Sequence, residues 1–132
     1  MDNKKNIEDL QKFYREFIKE RDWEKYHNPK DLSMAISIEV GELQEFFLWK
    51  SEKEIQNMLS DPQKKEQIKD ELADVFAYVI RLADVLDINL INAFYDKMEK
   101  NKKRYPVDKV KGNFKKYNEL DGYNVNLWVY KR

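Results

Sequence analysis

Two acidic pairs carry the chemistry this sequence can offer. Glu39 and Glu42 stand three residues apart in LSMAISIEVGELQEFFLW, and Glu71 and Asp74 repeat that spacing in the run from Ile68 to Asp87. Residues three apart share one face of a helix. Setting Glu39 at zero and advancing 100° per residue puts Leu32 at about 20°, Leu43 at about 40° and Phe46 at about 340°. Glu42 falls at about 300°, beside Ala35, so both acids point to the apolar side. Glu45, at about 240°, is a weaker candidate. On the second helix, with Glu71 at zero, Tyr78 lies at about 340° and Leu82 at about 20°. A carboxylate aimed into a core is costly unless something pairs with it. Glu-x-x-Glu alone is common on solvated helices, but two acidic pairs on two burial-facing surfaces suggest one shared cation.

Four carboxylates are hard oxygen ligands and suit Mg²⁺, with Mn²⁺ as a substitute. The chain has no cysteine, which excludes thiolate ligands and nucleophiles. Di-iron bundles use paired Glu-x-x-His elements, and the only histidine, His27, lies outside both acidic helices. Carboxylate-held Mg²⁺ commonly also holds phosphate. The residues therefore suggest hydrolysis in a polyphosphate, with Glu39, Glu42, Glu71 and Asp74 as ligands and one of them alternatively accepting the proton of the attacking water. A helical bundle used only for assembly is the competing reading.

The elements that must position these acids read as long helices. Ile7, Leu10, Phe13, Tyr14, Phe17 and Ile18 follow helical spacing and predict a first helix to about Glu20. In the linker RDWEKYHNPKD, Asn28-Pro29 reads as a break, with Asp31 or Ser33 as caps for a second helix from about Leu32 to Lys50. Trp23 could stack on a flat ring there, while His27 and Lys30 could touch a base or a phosphate; packing or plain exposure is the alternative for each. Gly41 interrupts the second helix, weakening it by about 1 kcal/mol against alanine, which a close approach of a helix or ligand would offset. Trp49, at about 280°, projects on the same flank as Glu42 and could wall the site.

Residues 51–66 predict a short helix and a turn. The next helix starts near Pro62–Lys65 and runs to Leu86 or Asp87. Phe76 and Ile80 oppose Val75 and Leu82, so it is apolar on two sides and suits burial between layers or at a subunit interface. Arg81 and Asp84 read as structural or solvated. A fourth helix follows from Asn89 to about Arg104 and ends in KNKKRYP, where Pro106 enforces the stop. Its Lys102, Lys103 and Arg104 suit a helix C-terminus, and Lys102 and Arg104 also suit a phosphate. Asn101 and Tyr105 lie one turn apart and could reach one ligand together. Beyond Val107 the alternation of Val125, Leu127 and Val129 is strand-like, with Asp121-Gly122 as a turn signal.

At 132 residues the chain has room for one sizeable core. Lys plus Arg and Asp plus Glu are equal at 25 each, which gives no global pull towards a nucleic-acid polymer. No apolar run is long enough to span a membrane, the first residues do not resemble a signal peptide, and a cytoplasmic location is the default expectation. The predicted class is all-α: a four-helix bundle over residues 1–106, with residues 107–132 as a short strand-like arm packed on it or on a neighbouring subunit.

From about Phe13 to Pro106 the chain resembles the all-α nucleoside triphosphate pyrophosphohydrolases of the MazG-like type, within them the dCTPase-like branch. Their pattern of Glu-x-x-Glu, a variable linker and Glu-x-x-Asp is matched by Glu39, Glu42, Glu71 and Asp74. It is made more specific by ERDWEKYHNPKDLSMAISIEVGELQEFFLW before and NKKRYP after. The resemblance implies Mg²⁺-dependent cleavage of a nucleoside triphosphate between the α and β phosphates, giving the monophosphate and pyrophosphate. It implies a base pocket of Trp23, His27 and Trp49 supported by Lys30. Tyr78, Asn101 and Tyr105 would meet sugar and phosphates, with Lys102 and Arg104 as looser phosphate contacts. It favours dCTP or a modified dCTP, with a dUTPase-like or broad house-cleaning activity as alternatives. It also implies a homodimer or homotetramer. The tail from Val107 departs from the pattern and leaves substrate preference and assembly open.

Overall fold

The computed structural model describes residues 5–120, whose regular elements are all helical, with no strand among them. The turn and alternating segment read at 121–130 lie outside the described residues. The chain divides into two compact units, Met1–Leu90 and Ile91–Arg132.

The first unit carries four helices. Helix α1 spans Ile7–Glu20 and opens on a capping box in which the Asn6 side chain accepts from Asp9 N–H and the Asp9 carboxylate accepts from Asn6 N–H. Asp22, in the left-handed region at φ 54°, turns the chain, and a 3₁₀ turn at Glu24–Tyr26 leads to His27. Helix α2 spans Pro29–Glu45. Asn28 and Pro29 therefore start this helix rather than break it. Pro29 sits in the first turn, where its missing N–H is no loss, and the Asn28 side chain accepts from Asp31 N–H at 2.9 Å. The expected caps, Asp31 and Ser33, lie inside the helix.

Helix α2 also ends earlier than expected, at Glu45, and residues 46–49 form turns. Trp49 has φ 62°, a conformation that closes the segment. Helix α3, Glu52–Leu59, begins on a second capping box between Ser51 and Glu54. Asp61 caps helix α4, Pro62–Val85, the longest element at 24 residues and about 36 Å. Asp87, again left-handed at φ 53°, ends it.

Helices α2 and α4 make the most extensive pairing of elements among the described residues, and α1 also packs on α4. The buried apolar side chains of this unit are Ile18 from α1, Leu32 from α2, and Ile80 and Ala83 from α4. Large apolar side chains remain exposed on the same helices, among them Phe13, Met34, Ile38, Leu72 and Phe76. A Cβ built on Gly41 meets nothing within 4 Å, so the close helix approach expected there is not made within the described chain.

In the second unit, helix α5 (Leu90–Arg104) begins at the last residue of the first and ends in its basic run. Pro106 leads into α6, Val107–Val110, and a 3₁₀ turn covers Tyr117–Glu119. Tyr117 meets Tyr105 edge-on at 6.0 Å between ring centroids.

Candidate metal and nucleotide site

The pairing of α2 with α4 brings the acids together. One carboxylate oxygen from each of Glu39, Glu42 and Glu71 lies within 4.8 Å of the other two. Glu39 Oε2 and Glu71 Oε2 are buried and have no hydrogen-bond partner. Unsatisfied buried carboxylate oxygens are costly, and here both belong to residues of the same cluster.

Burial, then hydrogen bonding to and repulsion by Glu42, with further repulsion from Asp74 and Glu71, pushes the Glu39 carboxyl up to about 7. Glu71 is also raised, first by desolvation and then by the Glu42 and Asp74 charges. Such mutual repulsion is what a dication between the carboxylates would cancel. Three converging hard oxygens with two orphaned lone-pair sets fit Mg²⁺ or Mn²⁺.

Asp74 is exposed and stands outside the group of three, one turn along α4 from Glu71. Its charge is nevertheless felt by Glu39, Glu71 and Tyr78. Tyr78, the next turn on, is half-buried, and its hydroxyl is raised by desolvation and then by Glu39, Asp74 and Glu42. Tyr78 therefore lies within electrostatic reach of the acids, as the helical phase predicts.

The aromatic loop flanks this unit. Trp23 packs edge-on against Phe17 at 6.0 Å and stays partly exposed. His27 is half-buried against Tyr14, with 6.3 Å between ring centroids, and accepts a hydrogen bond at Nδ1 from Arg81 Nε at 3.2 Å. Burial and the Arg81 charge lower its affinity for a second proton. Lys30 is exposed and paired with Asp31 at 3.3 Å. Trp49 lies beyond the end of α2 and is 93% exposed, so its expected place on the Glu42 flank of a helix does not hold.

Asn101, Lys102, Arg104 and Tyr105 belong to the second unit. Lys102 pairs with Glu99 at 2.6 Å, the Arg104 guanidinium lies 5.2 Å from the Tyr117 ring centre, and Tyr105 N–H bonds to the Asn101 carbonyl.

Two residues emerge that the acidic motifs do not reveal. Tyr14 is raised by burial and then by Tyr78, with Asp74 and Glu39 contributing, which puts it near the acids from the α1 side. Arg81 is not solvated: it donates to Asp84 at 3.1 Å, and Asp84 is held from α1 by Arg15 at 2.7 and 2.5 Å. The signal for Arg81 was its place seven residues after Asp74, two turns along the same face.

The chain is similar to known proteins over most of its length. The MazG-like family model matches residues 34–120. The dCTP pyrophosphatase 1 of Rattus norvegicus is 40% identical over 114 residues, covering 86% of this chain and 67% of the relative. The Homo sapiens protein of the same name is 38% identical over the same shares. A crystal structure of a pyrophosphatase from Archaeoglobus fulgidus superposes with a TM-score of 0.72 at 43% identity, covering 80% of this chain and 97% of that one. With the family match spanning more than half of the sequence, the chain belongs to the MazG-like family.

Proposed function

We propose that this protein hydrolyses the α–β phosphoanhydride of a deoxynucleoside triphosphate, dCTP or a modified dCTP before others, with Mg²⁺ held by Glu39, Glu42, Glu71 and Asp74. Family membership and the named pyrophosphatase relatives make it a nucleoside triphosphate pyrophosphatase. The observation that carries the metal assignment is the meeting of three carboxylates with two buried, unpartnered oxygens. The relatives' name supports dCTP as the leading substrate.

A dication bound there supplies charge neutralisation for the phosphates and a more acidic water. The chain's own residues do the rest. One of the four carboxylates, in place of binding the metal, takes the proton of the attacking water as its oxygen bonds to the α phosphorus, and the bond from that phosphorus to the α–β bridging oxygen breaks to release pyrophosphate. Tyr78, on the turn after Asp74, supplies a hydroxyl beside the acids for the sugar or a phosphate. Trp23, His27 and Trp49, supported by Lys30, supply stacking and polar contacts for the base. Asn101, Lys102, Arg104 and Tyr105 supply donors and cations for sugar and phosphates, within a catalytic domain of residues 1–106. The exposed apolar side chains on α1, α2 and α4 support a homodimer or homotetramer, because such surface is unusual on a monomer.

A panel of nucleoside triphosphates with Mg²⁺, with Mn²⁺ and with chelator tests the reading. It predicts metal-dependent release of pyrophosphate and monophosphate, fastest with dCTP. Preference for dUTP would favour the dUTPase-like alternative, equal turnover of many bases the house-cleaning one, and no turnover a purely structural assembly.

A further inference from the structure

Three elements meet at His27. Tyr14 of α1 stands edge-on to its ring, Arg81 of α4 donates to its Nδ1, and the loop after the 3₁₀ turn carries its backbone. The charged groups behind it are Asp84, on the same helix as Arg81, and Arg15 of α1, which grips Asp84 through two nitrogens. The Arg81 and Asp84 side chains are only 12% and 13% exposed, so the guanidinium is held in one place. Lys25 and Lys30, nearby in sequence, are each paired with an aspartate, Asp22 and Asp31.

A guanidinium has five N–H donors and no acceptor. Nδ1 of His27 must therefore offer its lone pair to Arg81, and the ring's single proton must sit on Nε2. Protonating Nδ1 would turn that hydrogen bond into a clash of two donors and two positive charges. Resting on the nucleotide reading above, we propose that Arg81 is a positioning residue that fixes His27 as the neutral Nε2–H tautomer, so that the loop presents a permanent N–H donor to an acceptor on the nucleotide base. The acceptor class follows from the chemistry: a ring carbonyl oxygen or an unprotonated ring nitrogen, not an exocyclic amine. The lowered proton affinity of His27 agrees with this arrangement, because it keeps the ring neutral when the solution is mildly acidic.

The chain has one histidine, so its imidazole nitrogens give an unambiguous signal in long-range ¹H–¹⁵N NMR of the full-length protein. The expected spectrum has a protonated Nε2 and a bare Nδ1, titrating below the usual histidine range. A proton on Nδ1 in the wild type overturns the proposal without any variant. Arg81→Met should raise the His27 titration towards its ordinary range and mix the tautomers, and Arg81→Lys, which keeps the charge without the planar fork, should do so in part. In steady-state kinetics with dCTP, Arg81→Met should raise KM about tenfold, the worth of one hydrogen bond near 1.4 kcal/mol, with a smaller change in kcat. An unmoved titration in a folded Arg81 variant refutes the positioning role, and an unmoved KM refutes the contact with the base. If the wild type turns over no nucleotide, the nucleotide reading and the base contact both fail, while the spectrum still decides whether Arg81 sets the tautomer.

Discussion

Replacing Glu39 by glutamine should stabilise the metal-free protein at neutral and alkaline pH while removing part of its response to Mg²⁺. Glutamine keeps the shape of the side chain and removes the charge that Glu42, Glu71 and Asp74 repel. The Glu39 carboxyl is raised from 4.5 to about 7 in the folded chain. A raised folded value means that the native state holds this proton more tightly than the unfolded state. Its contribution is therefore complete below about 4.5, shrinks as pH rises, and is gone above about 7. At 1.36 kcal/mol per pH unit the shift has a ceiling of about 3 kcal/mol, and solvent screening at this half-buried site lowers the expectation to about 1–2 kcal/mol. Urea unfolding with chelator, at one fixed protein concentration, measures it. The variant should match the wild type at pH 4.5 and exceed it by that amount at pH 8. Adding Mg²⁺ at pH 8 should then stabilise the wild type more than the variant. A difference that is absent at pH 8, or equal at both pH values, would refute the claim that the carboxylates strain one another in the metal-free chain.

Other perturbations read out the frame around the site. Asp84→Asn removes the anion between Arg15 and Arg81 and should cost about 1–3 kcal/mol at pH 7 in chemical denaturation, mostly through the poorly exposed Arg81. Because the Asp84 carboxyl is held below its ordinary value, first by its hydrogen bonds to Arg15, that loss should vanish as acid protonates the aspartate in the wild type. Gly41→Ala meets nothing within 4 Å and should raise the melting temperature through a gain of about 0.5–1 kcal/mol; a loss of activity or assembly instead would place a ligand or second subunit against α2. Leu72→Lys, at an exposed apolar position on α4, should shift sedimentation towards smaller species if that face joins subunits, and leave it unchanged otherwise.

The acidic core of the site was legible because helical spacing alone turns Glu39, Glu42 and Glu71 towards one another once α2 and α4 pair. Asp74 shares the spacing, but its carboxylate stays outside the group of three, which helical phase alone does not resolve. The start of α2 was misplaced because Asn28-Pro29 serves equally as a helix breaker and as a cap followed by a first-turn proline. Its end was misplaced because Phe46, Phe47, Leu48 and Trp49 continue the apolar run without a glycine, and a tryptophan in left-handed conformation closes it. The Arg81–His27 bond joins residues 54 apart and depends on how α1, α4 and the loop converge, so neither partner announces the other in the sequence.

The most direct measurement is the initial rate of pyrophosphate release from dCTP as a function of Mg²⁺, for the wild type and for Glu71→Gln with its helical content verified. Removing an outer-shell group from a metal site commonly costs 10–100-fold, so loss of a direct ligand should cost about 100-fold or more. The wild type should show no release in chelator and a saturable rise with Mg²⁺, and the folded variant should show almost none. Full activity in Glu71→Gln, or metal-independent release by the wild type, would contradict the assignment of the α2–α4 carboxylates as the centre of the reaction.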